Sequence, residues 1–295
     1  MPYSMALAVW MMATLFLYLA AVYAIIPRPA AVIAALTPYP VFFNTLLGHN
    51  GFLTAGLIGL TLALMERRPW LSGIFLGLLT YKPQFGILFP FALLASRNWR
   101  VLLGASATSV MFGITATIAF GYQIWTLFIA ALADRASSLS EVPGLNIPLV
   151  PAFGFLRLVG VSTYASWTAQ LAVTAIVAAT VSILWARPIP HSLKAASLGI
   201  GSLLAAPHVI GYDVCILSIA VAFLVEDGLS RGFLPGERAI MLMCWAGLIL
   251  LTGPIPAIIC VVLLVLVVRR TVLCQGADSI AAPSLVPVFT GDDGR

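Results

Sequence analysis

Lys82 lies among Leu78, Leu79, Phe85 and Ile87, in the tetrad Tyr81-Lys82-Pro83-Gln84. An ammonium at the centre of a bilayer costs roughly 2.5–3.5 kcal/mol on insertion scales, and less near an interface. Pro83 bars a regular helix through this point and frees a backbone carbonyl nearby. A cation kept there suits an anion, above all a phosphate, and Gln84 adds an amide beside it. The structural alternative is a lysine that snorkels to the headgroups from a simple turn.

A second cluster is Pro207-His208 followed by Tyr212-Asp213. Pro207 suits the first turn of a helix, which would place His208 at the positive end of a helix dipole, where a neutral imidazole and a bound phosphate are both favoured. Tyr212, four residues on, would share the face of His208, and Asp213 would sit about 140° around. The alternative is a capping cluster in which Asp213 pairs with a neighbouring helix. His49 and Asn50 lie in Gly48-His49-Asn50-Gly51, where Asn50 makes a good N-cap and the glycines suit a tight turn. Arg135 and Arg157 are candidate phosphate ligands, or solvated partners of Asp134 and Glu141. No Walker loop, GxGxxG, HExxH or GxSxG pattern occurs. No metal site is expected and no cofactor is assigned, with a divalent metal left open. The four cysteines lack CxxC spacing and read as buried free thiols.

These groups need a membrane scaffold. Hydrophobic residues make up 61% of the 295-residue chain and charged residues 8%, with a mean hydropathy of +1.07. A soluble domain carries about 25% charged residues, so lipid must cover this one. Stretches such as Ile258 to Val268 are apolar on every face, which selects helices over barrel strands. The fold class is therefore all-α, a polytopic transmembrane helical bundle of about nine to eleven membrane helices or half-helices. Helices are expected near 5–26, 30–47, 51–66, 70–80, 85–96, 101–120, 163–186, 195–206, 208–225, 238–252 and 255–268. The membrane domain spans 1–270, with a long loop at 121–162 whose first part, Tyr122 to Leu139, suits an interfacial helix. A disordered tail is expected over 271–295.

Orientation follows the basic residues. If 70–80 and 85–96 form a hairpin, about twelve of the 15 Lys and Arg residues face the cytoplasm, and Lys82, Arg135 and Arg157 face outward. The loop at 121–162 is then extracytoplasmic and the tail cytoplasmic, in a multi-pass protein of the cytoplasmic membrane. The net charge of +5 is spread singly and in pairs and gives no nucleic-acid patch.

From Ala6 to Arg100 the chain resembles the membrane glycosyltransferases of family 87, of the GT-C fold. The likeness lies in the order of elements: Ile26-Pro27-Arg28; a helix with Pro38, Pro40 and Asn44 before Leu47-Gly48-His49-Asn50-Gly51; Glu66-Arg67-Arg68-Pro69; and Tyr81-Lys82-Pro83-Gln84-Phe85. Ser202 to His208 with Tyr212-Asp213 looks like a second motif region. The resemblance implies a polyprenyl-phosphate-linked sugar donor, mannose or a related sugar, a glycolipid or glycan acceptor, and inverting transfer at the outer face of the membrane. Such chemistry needs cations to hold the departing lipid phosphate, a role that suits Lys82 and His208; Gln84, His49, Asn50, Tyr212, Arg135 and Arg157 are the further candidate substrate-binding residues. In the family the presumed catalytic Asp stands on a first outer loop preceding the region that begins here at Tyr3. That implies a shortened, inactive copy and leaves the base unknown, with Asp213 a weak candidate. A transporter or flippase for a lipid-linked or small anionic substrate is the competing reading, since broken helices and a membrane lysine suit a substrate path. A non-catalytic assembly subunit is the third.

Overall fold

The computed structural model describes residues 2–131, 151–250 and 254–281, and among them every regular element is a helix. In order these are α1 (Tyr3–Ile25), α2 (Pro29–Ala35), α3 (Tyr39–Leu47), α4 (Gly51–Leu64), α5 (Pro69–Leu78), α6 (Phe89–Ala95) and α7 (Trp99–Phe120). They continue as α8 (residues 123–131), α9 (Ala152–Leu158), α10 (Thr163–Ala186), α11 (His191–Ala205), α12 (Cys215–Arg231), α13 (Glu237–Gly247) and α14 (Ile255–Ala281). Lipid offers no partner to a backbone amide, so apolar runs close their own hydrogen bonds as helices.

Four of these are long and apolar enough to cross a membrane: α1, α7, α10 and α14 over Ile255–Leu273. The pair α2 and α3 adds a fifth if it counts as one span. Shorter apolar helical stretches at Gly51–Leu64, Pro69–Tyr81 and Pro83–Ala95 are half-helix candidates among the described residues, and the expected count of nine to eleven is not confirmed. The single helix expected over 30–47 is broken, with a 64° bend, because Pro38 and Pro40 remove two amide donors flanking Tyr39. The hairpin, in contrast, forms as expected. Its arms are α5 and α6, joined by the 3-10 turns Leu79–Tyr81 and Pro83–Phe85 with Lys82 between them. Asn98, after the second arm, reaches Met65, before the first.

Glycines let the helices approach closely. A Cβ at Gly73 would lie 2.7 Å from the Val101 carbonyl, and one at Gly77 2.4 Å from Thr108 Cβ, so α5 and α7 lie side by side. Gly56 and Gly59 do the same for α4 against Leu17 and Ala21 of α1. At the centre stands α11, buried along its length except at His191 and Lys194, and flanked by α10, α12 and α14.

These contacts fix two ends. At one, Gly51 meets Tyr212 and Tyr81 meets Thr54, while Gln170 of α10 bonds the end of α11 at Leu204. At the other lie the end of α4, Trp185 bonded to the Lys194 carbonyl, and Asp227 with Arg270. Following the chain through this bundle puts Arg28, Arg67, Arg68, Arg97, Arg100, Arg187, Lys194, Arg231, Arg238, Arg269 and Arg270 at the second end. Lys82 and Arg157 are at the first.

A buried clasp holds the basic end together. Asp227 accepts from Ser192 at 2.6 Å and from Arg231 and Arg270, and Arg270 also donates to Glu237 and to the Gly232 carbonyl at 2.6 Å. One guanidinium thus ties α12, α13, α14 and the intervening loop, and Ser192 adds α11. Its fork matches this need, since two carboxylates and a carbonyl can each take their own N–H.

Three boundaries differ from expectation. α11 begins at His191 rather than 195, because Pro190 is accommodated just before it. α12 begins at Cys215 rather than 208, so His208 lies on the connection and not on a helix. α14 runs to Ala281, past the boundary placed at 271, and residues 282–295 fall outside the described residues. Residues 123–131 are helical, as an interfacial helix would be, and its expected continuation to Leu139 lies outside the described residues, as does Arg135.

Because Asp227 and Glu237 are almost wholly buried, Arg270→Ala is expected to destabilise the protein by about 3–5 kcal/mol, the usual consequence of stranding a buried charge. Thermal unfolding in detergent measures it. A melting midpoint equal to that of the parent would show that the clasp holds nothing.

Candidate functional site

The hairpin apex delivers Lys82 to the end of the bundle away from the clasp. Its backbone is pinned on both sides, donating to the Leu79 carbonyl at 2.9 Å and accepting from Phe85 at 3.2 Å. Phe85, Leu88 and Phe89 are buried and anchor the return arm. Tyr81 sends its hydroxyl to within 2.5 Å of the Thr54 hydroxyl and 3.4 Å of the Asn50 carbonyl, fixing the apex against α4.

Opposite the apex, the chain leaves α11 through residues 206–210 and turns once as a 3-10 helix over Gly211–Val214 before α12. Asp213 closes that turn on itself: its Oδ2 accepts from the Ile210 amide at 3.2 Å, and its own amide donates to the Ile210 carbonyl at 2.8 Å. The other oxygen, Oδ1, accepts from Lys82 Nζ at 2.6 Å. Both side chains are largely shielded, with 13% of Lys82 and 3% of Asp213 accessible. The ammonium also lies 4.9 Å from the centre of the Tyr212 ring and 5.6 Å from that of Phe85, whose π-faces attract a cation.

The third wall comes from the turn between α3 and α4. Gly48 adopts φ +65, a left-handed conformation that favours glycine and ends α3. His49 follows, exposed, with its ring stacked on Tyr212 at 4.3 Å between centres. At Gly51 a Cβ would fall 2.3 Å from the Tyr212 carbonyl, so α4 and the Asp213 turn touch only because no side chain stands between them.

The expected residues separate into two groups. Lys82, Tyr212, Asp213 and His49 converge, and Asn50 adjoins them through Tyr81. Gln84 sits half-buried in the turn Pro83–Phe85, and His208 half-buried on the connection leading to Asp213. Without a helix at 208, the dipole expected at His208 and the helical spacing to Tyr212 do not exist. Pro207 leads instead into extended chain, and the 3-10 turn begins only at Gly211. Arg157 has another engagement, donating to the Val161 carbonyl at 2.7 Å where α9 ends. Asn50 does not cap α4 with its side chain. That task falls to Asn44, whose Oδ1 accepts from the Gly51 amide at 2.8 Å.

Asn44 and Thr54 also stand beside the cluster; in the sequence Asn44 figured only in the order of elements, and Thr54 had no role. The available signal was an amide inside the short apolar run Tyr39–Leu47, and the structure buries it wholly. Asn44 Nδ2 and Asn50 Oδ1 are buried with no hydrogen-bond partner among the described residues, leaving one donor and one acceptor unmet near the ion pair. Lys82 has spent one of three ammonium donors on Asp213. The arrangement can therefore present positive charge to an anion while amides address hydroxyls. Among the described residues no group of three or more His, Cys, Asp or Glu could hold a metal.

The family model of glycosyltransferase family 87 matches residues 1–207, a stretch containing the hairpin and the His49-Asn50 turn. No curated protein and no solved structure matches the chain.

The ion pair makes a double-mutant cycle decisive. Lys82→Met alone strands a buried carboxylate and should cost about 3–5 kcal/mol, whereas Lys82→Met with Asp213→Asn removes both charges and should recover much of it. Midpoints of thermal unfolding for the four proteins measure the coupling. Strictly additive losses would show that Lys82 and Asp213 do not support one another.

Proposed function

The chain belongs to glycosyltransferase family 87, and from that premise we propose that it transfers a sugar from a polyprenyl-phosphate donor to a glycolipid or glycan acceptor within the membrane. Mannose or a related hexose is the proposed sugar. The observation that carries the reading is Lys82, a shielded lysine paired with Asp213 beside two amides with unmet hydrogen-bonding groups.

The chemistry assigns work to each group. An acceptor hydroxyl oxygen attacks the anomeric carbon, the bond to the phosphate oxygen breaks, and the departing electron pair becomes phosphate charge. Lys82 faces that charge, and such electrostatic stabilisation is worth most where water is excluded. His208, on the adjoining connection, is the second proposed phosphate ligand. Gln84 and Asn50 offer amides to sugar hydroxyls, with the wholly buried Asn44 holding the Gly51 amide behind them, and His49 and Tyr212 form an aromatic wall beside them. Asp213 is a positioning residue, since both its oxygens are already engaged by Lys82 and the Ile210 amide. The base that takes the acceptor proton is not assigned among the described residues.

Sidedness follows from charge. Eleven of the basic residues named above share the clasp end, and cytoplasmic flanks are the ones enriched in Lys and Arg. The clasp end is therefore proposed to face the cytoplasm and the Lys82 end the opposite surface, where lipid-linked monosaccharide donors are consumed.

The protein in nanodiscs, given radiolabelled polyprenyl-phosphate-mannose, is expected to retain the donor, and Lys82→Met to weaken retention by about tenfold or more, as loss of a charged hydrogen bond implies. With a panel of glycolipid acceptors, any turnover should fall on the order of 10²-fold in the same variant. Equal retention by parent and variant would remove Lys82 from the donor site. Movement of the intact donor across a proteoliposome, with no transfer, would replace the transferase reading with that of a flippase.

A further inference from the structure

On the flank of the bundle an apolar groove of about 380 Å³ runs between α2, α12 and α13. It exists because the facing positions are short, with Ala31 and Ala34 on α2 and Ala222 on α12, while α13 supplies Arg238, Leu242 and Trp245. Residues 238, 242 and 245 recur at helical spacing and share one face of α13. From Arg238 to Trp245 that face runs about 10 Å along the helix axis. Trp245 donates to Thr37 at 3.0 Å and closes the groove at its inner limit, where the bend between α2 and α3 lies.

The other limit is charged. Arg238 is exposed, its guanidinium stands over the Phe233 ring at 4.6 Å, and no carboxylate pairs with it among the described residues. The adjacent Glu237 is consumed by Arg270 within the clasp. Among the described residues no Asp or Glu lines the groove. Arg238 belongs to the basic end of the bundle, the level at which headgroups meet the protein, and the groove leads from it toward the apolar interior.

We propose that this groove is a binding site for an anionic phospholipid, with the phosphate on Arg238 and an acyl chain lying along α13 as far as Trp245. Charge complementarity selects the headgroup: an unpaired guanidinium favours a phosphodiester without a compensating ammonium, since a zwitterionic lipid brings its own cation to an already positive rim. The site is on the flank and at the opposite end from Lys82, so it is independent of the transferase reading. Its occupant would fill a seam that otherwise separates α13 from α1 and α2, fastening the end of the bundle that the clasp also holds.

Nanodiscs holding equal amounts of phosphatidylglycerol and phosphatidylethanolamine, followed by native mass spectrometry of the released protein, test the headgroup. Retained phosphatidylglycerol is expected for the parent, about tenfold less for Arg238→Gln, and no change for Arg100→Gln at the same end of the bundle. A second arm uses only the parent protein: phosphatidylglycerol with a diazirine on its acyl chain is expected to label Leu242 and Val225 ahead of the exposed face of α7. Equal retention of both lipids, indifference to Arg238→Gln, or label spread evenly over the bundle would each overturn the proposal. No sugar donor enters either arm, so failure here leaves the transferase reading untouched.

Discussion

One hydrogen-bonded ion pair joins parts of the chain 131 residues apart, the hairpin apex at Lys82 and the turn at Asp213. Each charge is costly to bury alone and tolerable only with the other. The surrounding geometry serves that union. Tyr81 fastens the apex to α4, Gly51 lets α4 touch the turn, and the 210–213 hydrogen bonds aim the carboxylate. Tyr212 and Phe85 present ring faces to the ammonium, so its charge is shared by groups that need no protons.

The opposite end solves the same problem differently. Arg270 satisfies Asp227 and Glu237 together, and Arg231 and Ser192 complete the shell of Asp227. Between the two polar ends the bundle is largely apolar, and glycines bring α4 to α1 and α5 to α7, where Ser109 also donates to the Gly77 carbonyl at 3.4 Å. In lipid this division is sensible. Association there draws on close van der Waals packing, which small residues permit, more than on a hydrophobic force between helices. The ionic clasps then confine the buried charge to places where several helices end and a carboxylate can collect several donors.

Much of this was legible from the residues. The hairpin with Lys82 at its apex followed from Pro83, two short apolar runs and the distribution of arginines, and the helices at 51–64, 99–120 and 163–186 followed from hydropathy. Membership of the family was legible in the order of elements. What failed were inferences from local rules that tertiary contacts overrode. Pro207 looked like a helix start, yet the chain first makes the turn that Asp213 needs, and α12 begins eight residues later. Asn50 looked like a cap, but Asn44 reaches its neighbour's amide across the turn. The pairing of Lys82 with Asp213, and of Arg270 with two carboxylates, has no periodic signature because the partners belong to distant segments. The short helix α9 was hidden for a similar reason: Phe153 is held by Gln170 of α10, not by any local signal.

The central claim is that Lys82, positioned by its pairing with Asp213, is the group proposed to receive the phosphate of a lipid-linked sugar. A structure of the protein in nanodiscs with a non-hydrolysable polyprenyl-phosphonate sugar analogue tests it most directly. The account predicts phosphonate oxygens within hydrogen-bond distance of Lys82 Nζ, with Asp213 still against the ammonium and the sugar beside Gln84 and Asn50. An analogue bound elsewhere, with the Lys82–Asp213 pair untouched and facing away from it, would contradict the account.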